Sequence, residues 1–201
     1  AALGFSGKYF VDADHINMGT VAPFVETANF FTLDVASFIG KESPEPEVKA
    51  FVTSCAKYLG SLAIPGINHP FEVSEELLQK IAHKFLAATQ QAAEIYNYLK
   101  TNKGEGNFIT EVSMDEVESP QTPVDLFFIL KMLADKGVPA QTIAPKFTGR
   151  FNKGVDYKGD VEQFAREFEE DVLVIDYAVK EFGLPEELKL SVHSGSDKFT
   201  I

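Results

Sequence analysis

Short apolar, β-rich runs alternate along this chain with longer stretches in which apolar residues recur at spacings of three and four. That alternation predicts parallel strands joined by crossover helices, because a period of two suits a pleated strand and a period near 3.6 suits a helix with one buried stripe. The strand expectations are 8–13, 30–36, 107–112, 140–146 and 188–193. A helix over 47–60 places Val48, Phe51, Val52, Cys55, Ala56 and Leu59 on one stripe. A longer helix runs from an N-cap at Ser74, followed by two glutamates, to about Lys100. "TPVD" at 122–125 opens a third with Thr at the cap and Pro at the first helical position, and Gly137 closes it. "DVEQ" at 160–163 opens a fourth, which Gly183 and Pro185 end.

The segments that follow the strands are the polar ones, and in parallel α/β proteins the loops at the carboxyl ends of strands build the site. Five strands at this spacing suit either part of a (β/α)8 barrel or an open doubly wound sheet. A chain of 201 residues, 45% hydrophobic, predicts a single domain over 1–201. Its net charge of −12 argues against nucleic acid or an anionic membrane surface as a partner, since a polyanion is repelled before short-range contacts form. The apolar run 126–130 is far too short to span a bilayer. With Cys55 as the sole cysteine, no disulfide within the chain can form, and a soluble protein in a cytoplasmic setting is the expectation. Both ends read as cut, which predicts a piece of something longer.

The chemistry-bearing residues cluster after strands. "FVDADHINMG" at 10–19 opens as a buried strand and ends in Asp12, Asp14 and His15. If the strand persists, the two aspartates point one way and His15 the other; a turn at Asp14 would bring Asp14 and His15 to the rim together, and spacing alone does not choose. Asp12 reads as a buried structural carboxylate. His15 and His193, at equivalent strand ends, can converge on one point, as a divalent cation requires of neutral imidazoles. Glu111 interrupts an apolar strand, where a bare carboxylate is costly, so it is either functional or paired with Lys146 of the next strand. Asp34 stands in the same position on its own strand, whereas Asp115 and Glu116 read as loop and cap residues. Lys146 and Arg150 supply positive charge at a strand end and suit a carboxylate or polyol. Around Gly195, the residues Ser194, Ser196, Asp197 and Lys198 offer donors and acceptors suited to a sugar. The glycine-rich phosphate loops, the nucleophile elbow, CxxC and HExxH are all missing from the sequence.

Taken together, "VDADHINMGTV", "ANFFTLDVASFIG", "TEVSMDEVESPQTPVDLFFIL", "APKFTGRFNKGVDYKGD" and "SVHSGSDKF" resemble the tagaturonate/fructuronate epimerase family of bacterial hexuronate catabolism, across essentially the whole chain. The resemblance implies the central part of a longer enzyme, a TIM-type (β/α)8 barrel of which only part lies in this chain. It further implies a divalent metal cation (zinc, manganese, nickel or similar), a small sugar acid as partner, and room for a homo-oligomer. By the same resemblance Asp14 and Glu111 are the acid/base pair, and His15 and His193 are metal ligands, with a further histidine ligand downstream of Ile201. Asp34, Lys146, Arg150, Ser194, Asp197 and Lys198 are the substrate-binding expectations. The implied reaction interconverts D-tagaturonate and D-fructuronate, by retro-aldol or by direct acid/base inversion at a carbinol carbon. The rival readings are a metal-dependent aldolase or sugar isomerase on the same barrel, and a sugar-acid binding protein without catalysis.

Overall fold

The computed structural model describes residue 4 and residues 6–201. Five strands form one parallel sheet: β1 (Asp12–Ile16), β2 (Phe30–Asp34), β5 (Ile109–Ser113), β6 (Thr142–Ala144) and β7 (Lys189–Leu190). They lie side by side in chain order, without the reversal that a doubly wound sheet contains. Between β2 and β5 come α1 (Glu45–Ser54), a separate antiparallel hairpin of β3 (Gly60–Leu62) and β4 (Phe71–Val73), and α2 (Glu75–Lys103). The other crossover helices are α3 (Pro123–Asp135) and α4 (Val161–Phe182).

Register and alternation divide the sheet into two unlike faces. Ala13, Ile16, Phe31, Leu33, Val112 and Ile143 share the face that packs into the apolar core with α2 and α3. On the opposite face stand Asp12, Thr32, Glu111 and Thr142, so the two carboxylates among these strand positions share one side, while Thr110 is buried on the core face beside Phe31.

The helix signals hold locally. Ser74 Oγ accepts from Leu77 N at 3.1 Å, Thr122 and Asp125 form a reciprocal capping box, and Asp160 Oδ1 accepts from Gln163 N at 3.0 Å. Gly183 ends α4 in the left-handed conformation. The first helix departs from its expected range. After Ser54 the chain tightens into a 3₁₀ turn over Ala56–Tyr58, so the buried position three residues past Cys55 falls to Tyr58 and leaves Leu59 exposed.

The first strand also begins later than expected. Phe10 and Val11 are 51% and 36% exposed, and β1 starts only at Asp12, at the sheet edge. No helix among the described residues is long and apolar enough to cross a membrane.

Candidate functional site

The question posed by the Asp-Ala-Asp-His run is settled by a bulge. Ala13 pairs with Phe31 and Ile16 with Leu33, so β1 spends three steps where β2 spends two. The extra residue is absorbed at His15, whose φ of 51° is left-handed. Alternation is broken there, Ile16 returns to the core, and Asp14 and His15 both reach the rim of a cavity of about 740 Å³. The cavity opens at the carboxyl ends of the parallel strands, and its wall includes Asp12, Asp14, His15, Glu111, Asp115, Lys146, Arg150, His193 and Ser194.

His15 lies on β1 and His193 three residues past β7, the two outermost strands of the sheet, yet their ring centroids are 5.2 Å apart. Four inter-strand spacings of about 4.8 Å would separate those strands by ~19 Å in a flat sheet, more than two imidazoles can bridge. The margins of the sheet, with the loop after β7, therefore close over its polar face. Each ring is fixed by a carboxylate on one nitrogen: Asp14 Oδ1 lies 2.6 Å from His15 Nδ1, and Glu111 Oε1 lies 2.9 Å from His193 Nε2. Thr32 Oγ1 stands between Glu111 and Asp12, 3.2 Å and 3.4 Å away, and donates to one or the other.

The remaining ring nitrogens, His15 Nε2 and His193 Nδ1, are buried and have no hydrogen-bond partner. Both face Asp115 Oδ1, at 3.6 Å and 3.3 Å. Because carboxylates only accept, the proton of each neutral imidazole sits on the nitrogen facing Asp14 or Glu111, and the inner nitrogens present lone pairs. Two lone pairs and a carboxylate oxygen thus converge within 4.8 Å of one another, an arrangement that requires positive charge.

Protons supply it in the metal-free chain. Contact with Asp115, then with Glu111, pushes His193 up to about 10 against the opposing effect of burial. Burial pulls His15 down, but Asp14 and Asp115 overcome it and its pKa is raised. Asp115 is raised by burial and lowered more strongly by His193 and Ser113, ending well below the usual carboxylate range. Burial, with Asp14 and Glu111 nearby, raises Asp12. A divalent cation fits the same position, since nitrogen and oxygen donors held by outer carboxylates are what such ions take.

Sequence comparison gives this geometry a family. A family model described as tagaturonate epimerase, UxaE, matches residues 2–201. The chain belongs to the tagaturonate epimerase family. A protein of Thermotoga maritima named tagaturonate/fructuronate epimerase is 30% identical over 98% of the chain. The fructuronate-tagaturonate epimerase UxaE from Cohnella laeviribosi, in a glycerol-complexed crystal structure, superposes with a TM-score of 0.77 at 29% identity, again over 98% of the chain. Its native crystal structure gives 0.72 at 28%. The chain spans about 41% of the length of each of these relatives.

The residues singled out from the sequence divide into two groups. Asp14, His15, Glu111, Lys146, Arg150, His193 and Ser194 are brought to one cavity. Glu111 pairs with His193 and Thr32 and makes no salt bridge with Lys146, the structural alternative considered for it. Asp34, Asp197 and Lys198 do not line the cavity. The Asp34 carboxylate accepts from Ala36 N and shapes the turn after β2. Lys198 Nζ donates to Asn152 O and Ser196 O, which staples the 194–198 turn to the loop after β6. Gly195 sits in that contact, where a Cβ would lie 2.7 Å from Lys153 Cβ.

Asp115, read from the sequence as a loop or cap residue, is the member that reasoning missed. Its position two residues past β5 matches that of Lys146 past β6, and this shared offset is the signal that points to the rim.

Proposed function

We propose that this chain carries the metal-binding and acid/base part of an epimerase that interconverts D-tagaturonate and D-fructuronate. The observation that carries the reading is the pair of buried, unpartnered imidazole nitrogens facing one carboxylate in a cavity that also holds Asp14, Glu111 and two cationic side chains. Family membership and the name of the Thermotoga maritima relative direct that chemistry toward ketouronates. In the same proposal the sheet is an arc of a (β/α)8 barrel. Its unreversed strand order and the closing of its margins over the polar face both favour an arc of that kind.

The two ketouronates differ at a carbinol carbon one position removed from both carbons flanked by a carbonyl, so enolisation does not invert it. A retro-aldol does. Asp14 takes the hydroxyl proton, the bond from the carbinol carbon to its neighbour on the ketone side breaks, and the electron pair passes into the ketone as an enediolate. The aldehyde half turns its other face, the bond re-forms, and the proton returns to the new alkoxide. A divalent cation held by His15 and His193 would supply the positive charge that stabilises the developing oxyanions. Glu111, 5% exposed and fixed by His193 and Thr32, is the second proton-handling group on the cavity wall. Lys146 and Arg150 hold the substrate carboxylate.

The deciding measurement is turnover in heavy water, in a family-length protein carrying this segment. Interconversion without solvent deuterium at the inverted carbon is expected, and deuterium there ends the retro-aldol route. Asp14→Asn and Glu111→Gln should each lower kcat by at least ~100-fold, the scale of a lost acid or base. Retained turnover in both variants would end the catalytic assignment.

A further inference from the structure

We infer that Asp115 is a third protein ligand of the metal centre, beside His15 and His193. The inference rests on the metal-dependent reading above and goes beyond it: that reading assigns His15 and His193 and leaves the third ligand to sequence beyond Ile201.

The separations carry the argument. Two donors bound ~2.1 Å from a tetrahedral ion stand about 3.4 Å apart. Asp115 Oδ1 lies 3.3 Å from His193 Nδ1 and 3.6 Å from His15 Nε2, which brackets that spacing. Neither contact forms a hydrogen bond, and both nitrogens are buried, so no other group satisfies them. Asp115 is itself fixed: Ser113 Oγ donates to its Oδ1 at 2.6 Å, and the Met114 N–H bonds Ala144 O on the neighbouring strand. The two other carboxylates of the cluster touch the outer ring nitrogens, Asp14 on His15 and Glu111 on His193, and so orient ligands instead of supplying them. Two imidazoles and one carboxylate leave the rest of the coordination sphere open toward the cavity, where substrate oxygens would enter.

The test uses a metal-free family-length protein carrying this segment, Zn²⁺ competition against a chromophoric chelator, and the visible absorption of the Co²⁺ form. The wild type should take up one ion per chain. Asp115→Asn should lose more than ~100-fold in Zn²⁺ affinity, beyond the ~10- to 100-fold of an orienting group, and should change the Co²⁺ spectrum. Asp14→Asn should stay within that range and leave the Co²⁺ bands in place. An Asp115→Asn affinity within 100-fold of wild type, or an unchanged Co²⁺ spectrum, overturns the inference. No uptake of either ion by the folded wild type overturns the metal reading itself, and this inference with it. Should the Asn variant not fold, Asp115→Ser, which also removes the carboxylate, is scored by the same two readings.

Discussion

His15 occupies a backbone conformation that costs an L-residue roughly 1–2 kcal/mol, and it does so at the one place where β1 carries an extra residue. The cost sets up a comparison between two variants that both lose the imidazole. In metal-free buffer, His15→Gly should be more stable than His15→Ala by about 1 kcal/mol in urea denaturation, because only glycine is indifferent to the sign of φ. Equal stabilities would show that the bulge relaxes once the ring is gone. Asp171 offers a second residue-scale test. It is buried on α4, its Oδ1 has no partner, and burial with Glu167 and Glu170 nearby raises its pKa to about 8. Its folded pKa lies above the unfolded value, so its contribution is most favourable below about pH 4 and is lost as pH rises through 8. Asp171→Asn should therefore stabilise the chain by up to about 4 kcal/mol at pH 7, with the gain vanishing near pH 4. At this scale His15, His193 and Glu111 could be read from the sequence because each is out of character in its run. Asp115 could not, since a carboxylate in an acidic loop of an acidic protein looks like every other.

The elements were most legible where a side chain writes its own boundary. Ser74, Thr122 and Asp160 start helices by accepting a backbone N–H, and that chemistry is local enough to read from three or four letters. Thr122→Ala should cost about 1 kcal/mol and lower the melting temperature, since it opens the capping box that starts α3. The β3–β4 hairpin had no such signature. Its two strands of three residues each are held by a ladder across an irregular connection, and no alternating run is long enough to announce them. The early end of α1 was likewise invisible, because Tyr58 and Leu59 are both apolar and only the tightening at Cys55 decides which turns inward. The turn after β7 is decided by shape. Gly195→Ala would drive a methyl group against Lys153 and part the two loops, at a cost of ~1–3 kcal/mol and with weaker Zn²⁺ binding through the displaced His193.

Across the whole molecule, the charged groups that depart furthest from ordinary values pull the metal-free stability optimum to the acid side. His193, raised to about 10, contributes fully below about pH 6.5 and loses that contribution as pH climbs through 10. Asp115, lowered in the fold, contributes above about pH 4 and loses it as pH falls. Thermal melting of the metal-free chain should be highest at about pH 4–6 and should decline toward pH 9. A flat profile across that range would mean the cluster is uncharged when empty. The parallel strands themselves were legible from alternation; their order was not, since the same alternation suits a barrel arc or a doubly wound sheet. Neither was the closing of the sheet's margins, because it arises from how whole strands and loops pack. That closing links the first strand to the loop that follows the last through Asp14, His15, Asp115, His193 and Glu111. The margins of an open sheet ordinarily fray independently and first. Here they share a polar clasp, so hydrogen exchange at the amides of Asp12–Ile16 and Lys189–Leu190 should proceed through one cooperative opening. Removing the carboxylate of Asp115 should split that opening into two unrelated ones.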